Sequence, residues 1–224
     1  MTSSSVVHSN AFGFMSFLNN SVDPRTGQYT LSINFPSLNA NALRGPLQPL
    51  RLAFSPLNTQ DSGFGTGWSL NLSQYIPSTK MVTLSTGESF KVTGSGENAA
   101  IRERRLDFFH FSFLPNSTYR IVHKSGLVEE LKSFGTGLNE IALPTTIYAA
   151  SGHAIFLEYS NSEFGWVLKN IQDEQGLLLR INYKNANEIN LDFAPGADEK
   201  DPPKARYRFE LLGRELKVES PLVS

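Results

Sequence analysis

One spacing recurs five times along this 224-residue chain and constrains its fold more than any other feature. An aliphatic residue is followed five positions later by a glycine that leads into a segment with strand character. Polar residues before a glycine that can take a positive φ are what a tight hairpin turn requires. The pattern therefore predicts strand–turn–strand units with structural turns at Gly27, Gly87, Gly126, Gly152 and Gly176.

The last two copies share a further position. A tyrosine follows Gly152 and Gly176 at the same distance, as Tyr159 and Tyr183. We expect the aliphatic and tyrosine positions to mark the inward face of the two hairpin arms. The 26 and 24 residues between the last three repeat glycines fit a stacked β architecture whose units contact only their neighbours.

Alternation of apolar and polar residues dominates the rest of the chain, as is typical of half-buried strands. It predicts strands at residues 29–35, 50–54, 108–113, 119–124, 127–131, 154–159, 167–171, 177–183, 189–193 and 207–212. The Arg- and Glu-rich segment 101–106 is the weak helix candidate, and we expect strand or loop there. The prediction is an all-β protein, an antiparallel hairpin-repeat sheet that is curved or stacked, with little or no helix. Residues 1–19 are predicted to be a Ser-rich, partly disordered segment, and residues 20–224 a single β-rich domain.

Composition excludes several classes of function. With 40% hydrophobic and 11% aromatic residues the chain can build a core, whereas a net charge of −1 gives no electrostatic basis for binding nucleic acid or an anionic membrane. The absence of cysteine excludes disulfides and thiolate metal sites. No apolar run approaches the length of a membrane span, and the N-terminus lacks the charged region of a signal peptide. We expect synthesis in a bacterial cytoplasm, and export by a specialised secretion system fits equally well.

The segment Asp61-Ser62-Gly63-Phe64-Gly65-Thr66-Gly67-Trp68 contains two motifs. Its G-x-G-x-G spacing and the strand that follows differ from a dinucleotide loop, so a structural turn with Trp68 as a buried plug is favoured. Asp61-Ser62-Gly63 matches the short signature of aspartic proteases, although a second copy is absent. A hydrolase that uses Asp61 is therefore one alternative function.

A carbohydrate-binding β-domain is the other alternative. Trp68 and Trp166 both follow glycine, and flat rings of this kind stack on the apolar faces of sugars. His8, His110, His123 and His153 are not at metal-binding spacings, and we expect hydrogen bonds beside the hairpins for His123 and His153. No catalytic residue, cofactor or metal is assigned. The acidic pairs Glu129-Glu130 and Asp173-Glu174 are expected to be solvated.

Four segments together resemble the Rhs/YD-repeat family, and look most like the N-terminal β-shell region of Rhs-type or insecticidal-toxin-complex-like bacterial proteins. The more specific part is the element Phe64, Gly65, Gly67 and Trp68, and the others are residues 22–29, 45–54 and 86–90. The resemblance implies a non-catalytic wall segment. Family members wind a long sheet into a hollow shell around a C-terminal toxic domain.

The same resemblance implies the partners. They are the remaining repeats of the shell or a C-terminal toxin domain, with self-association through an open sheet edge as a further expectation. Family shells are many times longer than this chain, so we expect either a fragment or a short relative. The last strand, near residues 206–218, should leave an open edge, with Lys204, Arg206, Arg208 and Arg214 as charges that blunt it.

Overall fold

The computed structural model describes residues 18–22, 29–56, 58, 61–94, 100–101, 108–185, 187–195, 202–212 and 215–219. Strands account for 61% of the residues and helical turns for 4%, and every described strand pair is antiparallel, which confirms the predicted all-β class. The strands of the N-terminal half are β1 (Leu18–Val22), β2 (Tyr29–Asn34), β3 (Leu38–Asn39), β4 (Leu47–Gln48), β5 (Arg51–Phe54), β6 (Trp68–Leu70), β7 (Gln74–Ile76), β8 (Met81–Thr83), β9 (Ser89–Thr93) and β10 (Ala100–Ile101). Those of the C-terminal half are β11 (Phe109–Leu114), β12 (Thr118–His123), β13 (Val128–Phe134), β14 (Ile141–Tyr148), β15 (Ala154–Ser162), β16 (Gly165–Gln172), β17 (Leu177–Asn185), β18 (Glu188–Phe193), β19 (Ala205–Leu212) and β20 (Glu215–Glu219). Short 3₁₀-type turns span Asn41–Leu43 and Gly137–Asn139.

Within the described part of the chain, the strands form two main sheets. A four-stranded sheet has the order β1-β2-β5-β6, and β3 pairs with β4 in a small separate ladder. The large sheet has 14 strands. From β14 to β20 its strands follow one another in chain order, because each hairpin pairs back on the strand before it.

The large sheet forks at β14. One edge of β14 pairs with β13 along its whole length, whereas the other edge pairs with β7 at Ala142 and with β15 from Thr146 onward. Pro144 lies between these two partners and has no N–H to donate, so a change of partner there breaks no donated bond. Its carbonyl accepts instead from the hydroxyl of Tyr159, at 2.9 Å.

The described residues form two hydrophobic cores. The first core lies between the four-stranded sheet and β14–β19, and its fully buried members include Leu52, Phe64, Ile155, Leu179 and Phe209. The second core lies inside the curled sheet formed by β7–β13 and the start of β14. Phe90 of β9 is 5.1 Å from Phe109 of β11 between ring centroids, so the sheet bends far enough to bring these two strands together.

The sequence predicts strand or loop at residues 101–106 and an inward-facing side chain at Val22. Ile101 ends the short strand β10, and residues 102–106 lie outside the described residues. Val22, expected on an inward face, is 56% exposed on β1. β1 is an edge strand of the small sheet among the described residues, so nothing there covers this position.

Candidate functional site

Three of the repeated turns have the same backbone geometry. At Gly126 the glycine N–H donates to the carbonyl of His123, and the N–H of His123 donates to the carbonyl of Leu127, at 2.9 and 2.8 Å. The turns at Gly87 and Gly152 repeat both bonds. The three glycines have φ values of +94°, +88° and +87° in chain order. Each turn is thus a three-residue hairpin loop whose last residue is left-handed, a position that favours glycine.

The turn at Gly176 is built differently. The Asp173 N–H donates to the carbonyl of Gly176 at 2.9 Å, and the Asp173 Oδ1 accepts from the N–H groups of Gln175 and Gly176 at 2.8 and 3.0 Å. A carboxylate thus takes the place of a turn carbonyl, as in other Asx turns. The fifth repeat glycine, Gly27, lies outside the described residues.

Asp173 also holds a distant loop. Its Oδ2 accepts from the Asn41 N–H at 2.6 Å, and the Asn41 side chain donates to the carbonyl of Ala154 at 2.9 Å. Asn41 has a φ of +49° and starts a left-handed turn. Asp173 is 8% exposed, so the expectation of a solvated charge is wrong for it. The loop covers the carboxylate and links the four-stranded sheet to the hairpin turns.

The aliphatic residue of each described β-turn repeat is buried. Val82, Ile121, Ile147 and Ile171 are each at most 1% exposed. The two tyrosines donate their hydroxyls to the backbone in equivalent ways, Tyr159 to Pro144 and Tyr183 to Leu168, each across 15 residues. Burial raises the pKa of both tyrosines above the ordinary value, and the nearby Glu129 carboxylate adds to the rise for Tyr159.

Phe64 and Trp68 of the G-x-G-x-G segment both lie in the first core. The Phe64 ring is 1% exposed and lies 6.1 Å from the Tyr183 ring and 5.8 Å from the Phe209 ring. Gly65 and Gly67 have φ values of +90° and +91°, and a Cβ on Gly67 would come within 2.7 Å of the Phe54 ring. Trp68 is 8% exposed and packs on Phe54 at 5.3 Å. Its ring has no free face for a sugar.

Buried and partly buried polar groups form a chain between the two cores, here called the polar seam and consisting of Asn71, Ser73, Ser85, His123 and Glu129. The Ser73 hydroxyl donates to Glu129 Oε1 at 2.9 Å and accepts from the Ser85 N–H at 3.0 Å. His123 Nε2 lies 2.6 Å from the same Glu129 oxygen, and the Asn71 side chain donates to the Ser85 carbonyl. Ser73 and Glu129 are 0% and 2% exposed, so the expectation that Glu129 is solvated is also wrong.

The polar seam does not have the arrangement of a nucleophilic triad. In such a triad the base contacts the nucleophile and the acid orients the base. Here Ser73 and His123 both contact Glu129, so the carboxylate stands between hydroxyl and imidazole. The Ser73 hydroxyl and Glu129 Oε1 both have hydrogen-bond partners within the seam, as polar groups between apolar cores require.

A cleft of about 1060 Å³ opens between the four-stranded sheet and strands β7, β8 and β14–β16. Asp61 and Trp166 both lie in its wall. Asp61 Oδ1 accepts from the N–H groups of Gly63 and Gly65 at 2.8 and 3.0 Å, which commits that oxygen to its own turn. Trp166 is half-buried and packs on Phe134, with ring centroids 4.8 Å apart.

The predicted last strand is two strands, β19 and β20. Arg206 and Arg208 therefore lie one strand inside the edge, so their expected role as edge-blunting charges is wrong. Arg206 makes a two-pronged contact with the buried carboxylate of Asp192, at 2.5 and 3.0 Å, which raises the pKa of the guanidinium. Lys204 lies just before β19, and Arg214 lies outside the described residues.

The ladder of charges on the outer face continues from β18 to β20. Arg208 contacts Glu188, Glu210 and Glu219 at 3.4, 2.7 and 3.8 Å, and Lys217 contacts Glu210 and Glu219 at 3.7 and 3.0 Å.

The described residues contain no helix that is long and apolar enough to cross a bilayer and no group of three or more His, Asp or Glu that could hold a metal ion.

The chain is similar to known proteins at the level of solved structures. No family model and no curated protein matches the chain. A solved structure of the Photorhabdus luminescens Tc holotoxin pore, carrying the mutation TccC3-D651A, is similar over 90% of this chain at 11% identity and a TM-score of 0.47. The chain spans 14% of the length of that neighbour. The neighbour is a Tc toxin structure, and the sequence resemblance named the same toxin-complex class.

Proposed function

We propose that this chain is a non-catalytic structural segment of an Rhs/YD-repeat, toxin-encapsulating shell, and that it acts through assembly of its β-sheet. The observation that carries the proposal is the chain-order meander from β14 to β20. Each added hairpin lengthens the same sheet, so the wall grows along the sequence. Its partners are the remaining shell repeats, a C-terminal toxin domain, or a second copy of the chain.

The two faces of the meander suit a wall. On one face Ile189, Leu191 and Phe193 of β18 are buried in the first core. On the other, Asp192 pairs with Arg206, and Glu188 pairs with Lys184 and Arg208. A sheet that is apolar on one face and charged on the other can enclose a volume and still meet water.

The polar groups of the described residues support a structural role rather than catalysis. Ser73 and His123 both contact Glu129, and Asp173 holds its own turn and Asn41. We further propose synthesis in a bacterial cytoplasm and delivery by a specialised secretion system.

Hydrogen exchange of the dilute chain tests the wall proposal. If the sheet is open for further strands, the exchange rates of successive β20 amides should alternate. Amides bonded to β19 should be protected, and those between them should exchange freely. Protection of every β20 amide in a dilute monomer would mean that the edge is already closed, and the proposal would be wrong.

A carbohydrate-binding function is the second candidate, and the half-buried ring of Trp166 in the wall of the cleft favours it. The variant Trp68→Phe leaves Trp166 as the sole tryptophan and so isolates its fluorescence. Titration with a panel of oligosaccharides would give saturable quenching for a sugar site. A wall segment predicts no saturable change with any sugar of the panel.

A further inference from the structure

The outer edge of β20 is the feature that decides what extends the sheet. β20 pairs with β19 on one side, and no strand of the described residues pairs with the other. Lys217 and Glu219 are about half exposed, with side-chain exposures of 54% and 47%. Val218, between them, packs against the first core. An edge of this kind is a template for pairing with another chain.

The charges at this edge follow a strict order. In the β19–β20 pairing, Arg208 lies opposite Glu219 and Glu210 lies opposite Lys217. The edge strand therefore presents a base and an acid two positions apart on the outer face, each with an opposite charge behind it. A strand that complements it antiparallel must present an acid opposite Lys217 and a base opposite Glu219.

β20 satisfies that requirement itself. We infer that the chain forms a homodimer in which β20 of one copy pairs antiparallel with β20 of a second copy, about a twofold axis at Val218. Lys217 then lies opposite Glu219 of the second copy, and the symmetric pair repeats the contact, as an isologous interface requires. Across the axis the outer-face charges of Arg208, Glu219, and the second copy's Lys217 and Glu210 alternate in sign.

The inner face is continuous across the same axis. Ile189, Phe209 and Val218 lie opposite one another in the register of β18, β19 and β20, and the first two are buried. Val218 of the second copy would extend this apolar row, followed by its Phe209 and Ile189. Main-chain hydrogen bonds between the strands supply affinity, and the charge order supplies register.

Two neighbouring registers are disfavoured. Pairing about an axis at Lys217 places Lys217 opposite Lys217 and Glu219 opposite Glu215, so like charges meet at each of these positions. A slip by a single residue places charged positions of one strand opposite apolar positions of the other, because paired residues share a face.

Charge-reversal variants of the full chain test the dimer by sedimentation. Lys217→Glu makes both outer positions acidic, and Glu219→Lys makes both basic. We expect a wild-type dimer whose dissociation constant is weakened on the order of thirtyfold in either variant, since each reversal turns two attractive pairs into two repulsive ones. A one-to-one mixture of the two variants should dimerise as tightly as wild type, because an acidic edge then meets a basic one.

The control is Lys91→Glu, which reverses an exposed lysine on β9 and should leave the dissociation constant unchanged. Circular dichroism of each variant verifies that the fold is kept. A monomeric wild type, a variant that dimerises as tightly as wild type, or a mixture no tighter than its components would each overturn the inference.

This inference rests on the proposed function, since it names the occupant of the same edge, and the two can fail separately. A monomer whose outward β20 amides exchange freely would refute the dimer and keep the wall proposal. A monomer in which every β20 amide is protected would refute both.

Discussion

The hydroxyl of Ser73 donates to Oε1 of Glu129 at 2.9 Å, and this bond lies where the two hydrophobic cores meet. Glu129 lies opposite Ile121 of the second core on one side and opposite Ile147 of the first core on the other. Ser73 lies on the short segment that leads from β6 of the small sheet to β7 of the large one. A buried polar contact therefore fixes the crossing between the two sheets.

Ser73→Ala should lower the free energy of unfolding by about 1–3 kcal/mol, because it leaves Glu129 without its hydroxyl donor and the Ser85 N–H without its acceptor. Chemical denaturation measures the change. The matched control is Ser89→Ala, which removes an exposed hydroxyl that bonds Thr83 and should cost no more than about 0.5 kcal/mol. Equal effects at the two serines would contradict the structural role of the polar seam.

Gly126→Ala should destabilise the chain more than Gly152→Ala. Both glycines have nearly the same positive φ, so both substitutions carry the strain of about 1–3 kcal/mol of a non-glycine residue there. A Cβ at Gly126 would also lie 2.8 Å from the Cβ of Ala150, whereas a Cβ at Gly152 meets no atom within 4 Å. Calorimetry of the two variants measures the difference.

The double variant Gly126→Ala with Ala150→Gly separates strain from clash. Removal of the Ala150 Cβ should bring the melting temperature above that of Gly126→Ala alone. If the double variant is less stable than the single one, then the two turns are not in contact as described.

Asp173→Asn should detach the loop at Asn41 while the turn at Gly176 is kept. An amide oxygen can still accept from Gln175 and Gly176, but its NH₂ group would face the Asn41 N–H, so two donors would meet. We expect a loss of about 1–3 kcal/mol and faster exchange of the Asn41 amide. The control is Glu174→Gln, at the exposed neighbouring position. The contact would be ruled out if the Asn41 amide exchanged equally slowly in wild type and in Asp173→Asn.

Stability should fall in alkaline solution, because burial raises the pKa of Tyr183 and of Tyr159. A phenol is neutral when protonated. Because the pKa is higher in the folded than in the unfolded chain, the contribution to stability is fully present below the unfolded value near pH 10. That contribution is lost as the pH rises further. Tyr183→Phe should reduce the loss by up to about 1.4 kcal/mol per pH unit above pH 10. Denaturation at pH 9 and pH 11 measures it, and an unchanged pH dependence in the variant would be inconsistent with a buried Tyr183 hydroxyl.

The turns could be predicted from the sequence because their cause is local. A glycine, the polar residues before it and an aliphatic residue five positions earlier are all within one hairpin, and alternation of side chains follows from the pleat. Glu129 could not be predicted in the same way. Its partner Ser73 is 56 residues away, and only the meeting of two cores turns a charged residue of an ordinary strand into a buried one.

Asp173 and Pro144 show the same limit. Nothing near Asp173 in the sequence indicates the Asn41 loop, which lies 132 residues away. The change of strand partner at Pro144 depends on where β7 and β15 arrive on β14. The sequence predicts one last strand where the structure has β19 and β20, because both alternate and no distinctive spacing separates them.

Disulfide cross-linking of Val218→Cys tests most directly whether β20 of a second copy extends the sheet at β20. The chain has no cysteine, so the variant carries one thiol. In the inferred register the two Val218 positions face each other at a separation that a disulfide can bridge. Leu43→Cys, on a loop and 77% exposed in wild type, is the control. The account predicts that Val218→Cys forms a covalent dimer much faster than Leu43→Cys on mild oxidation, and equal rates for the two variants would contradict it.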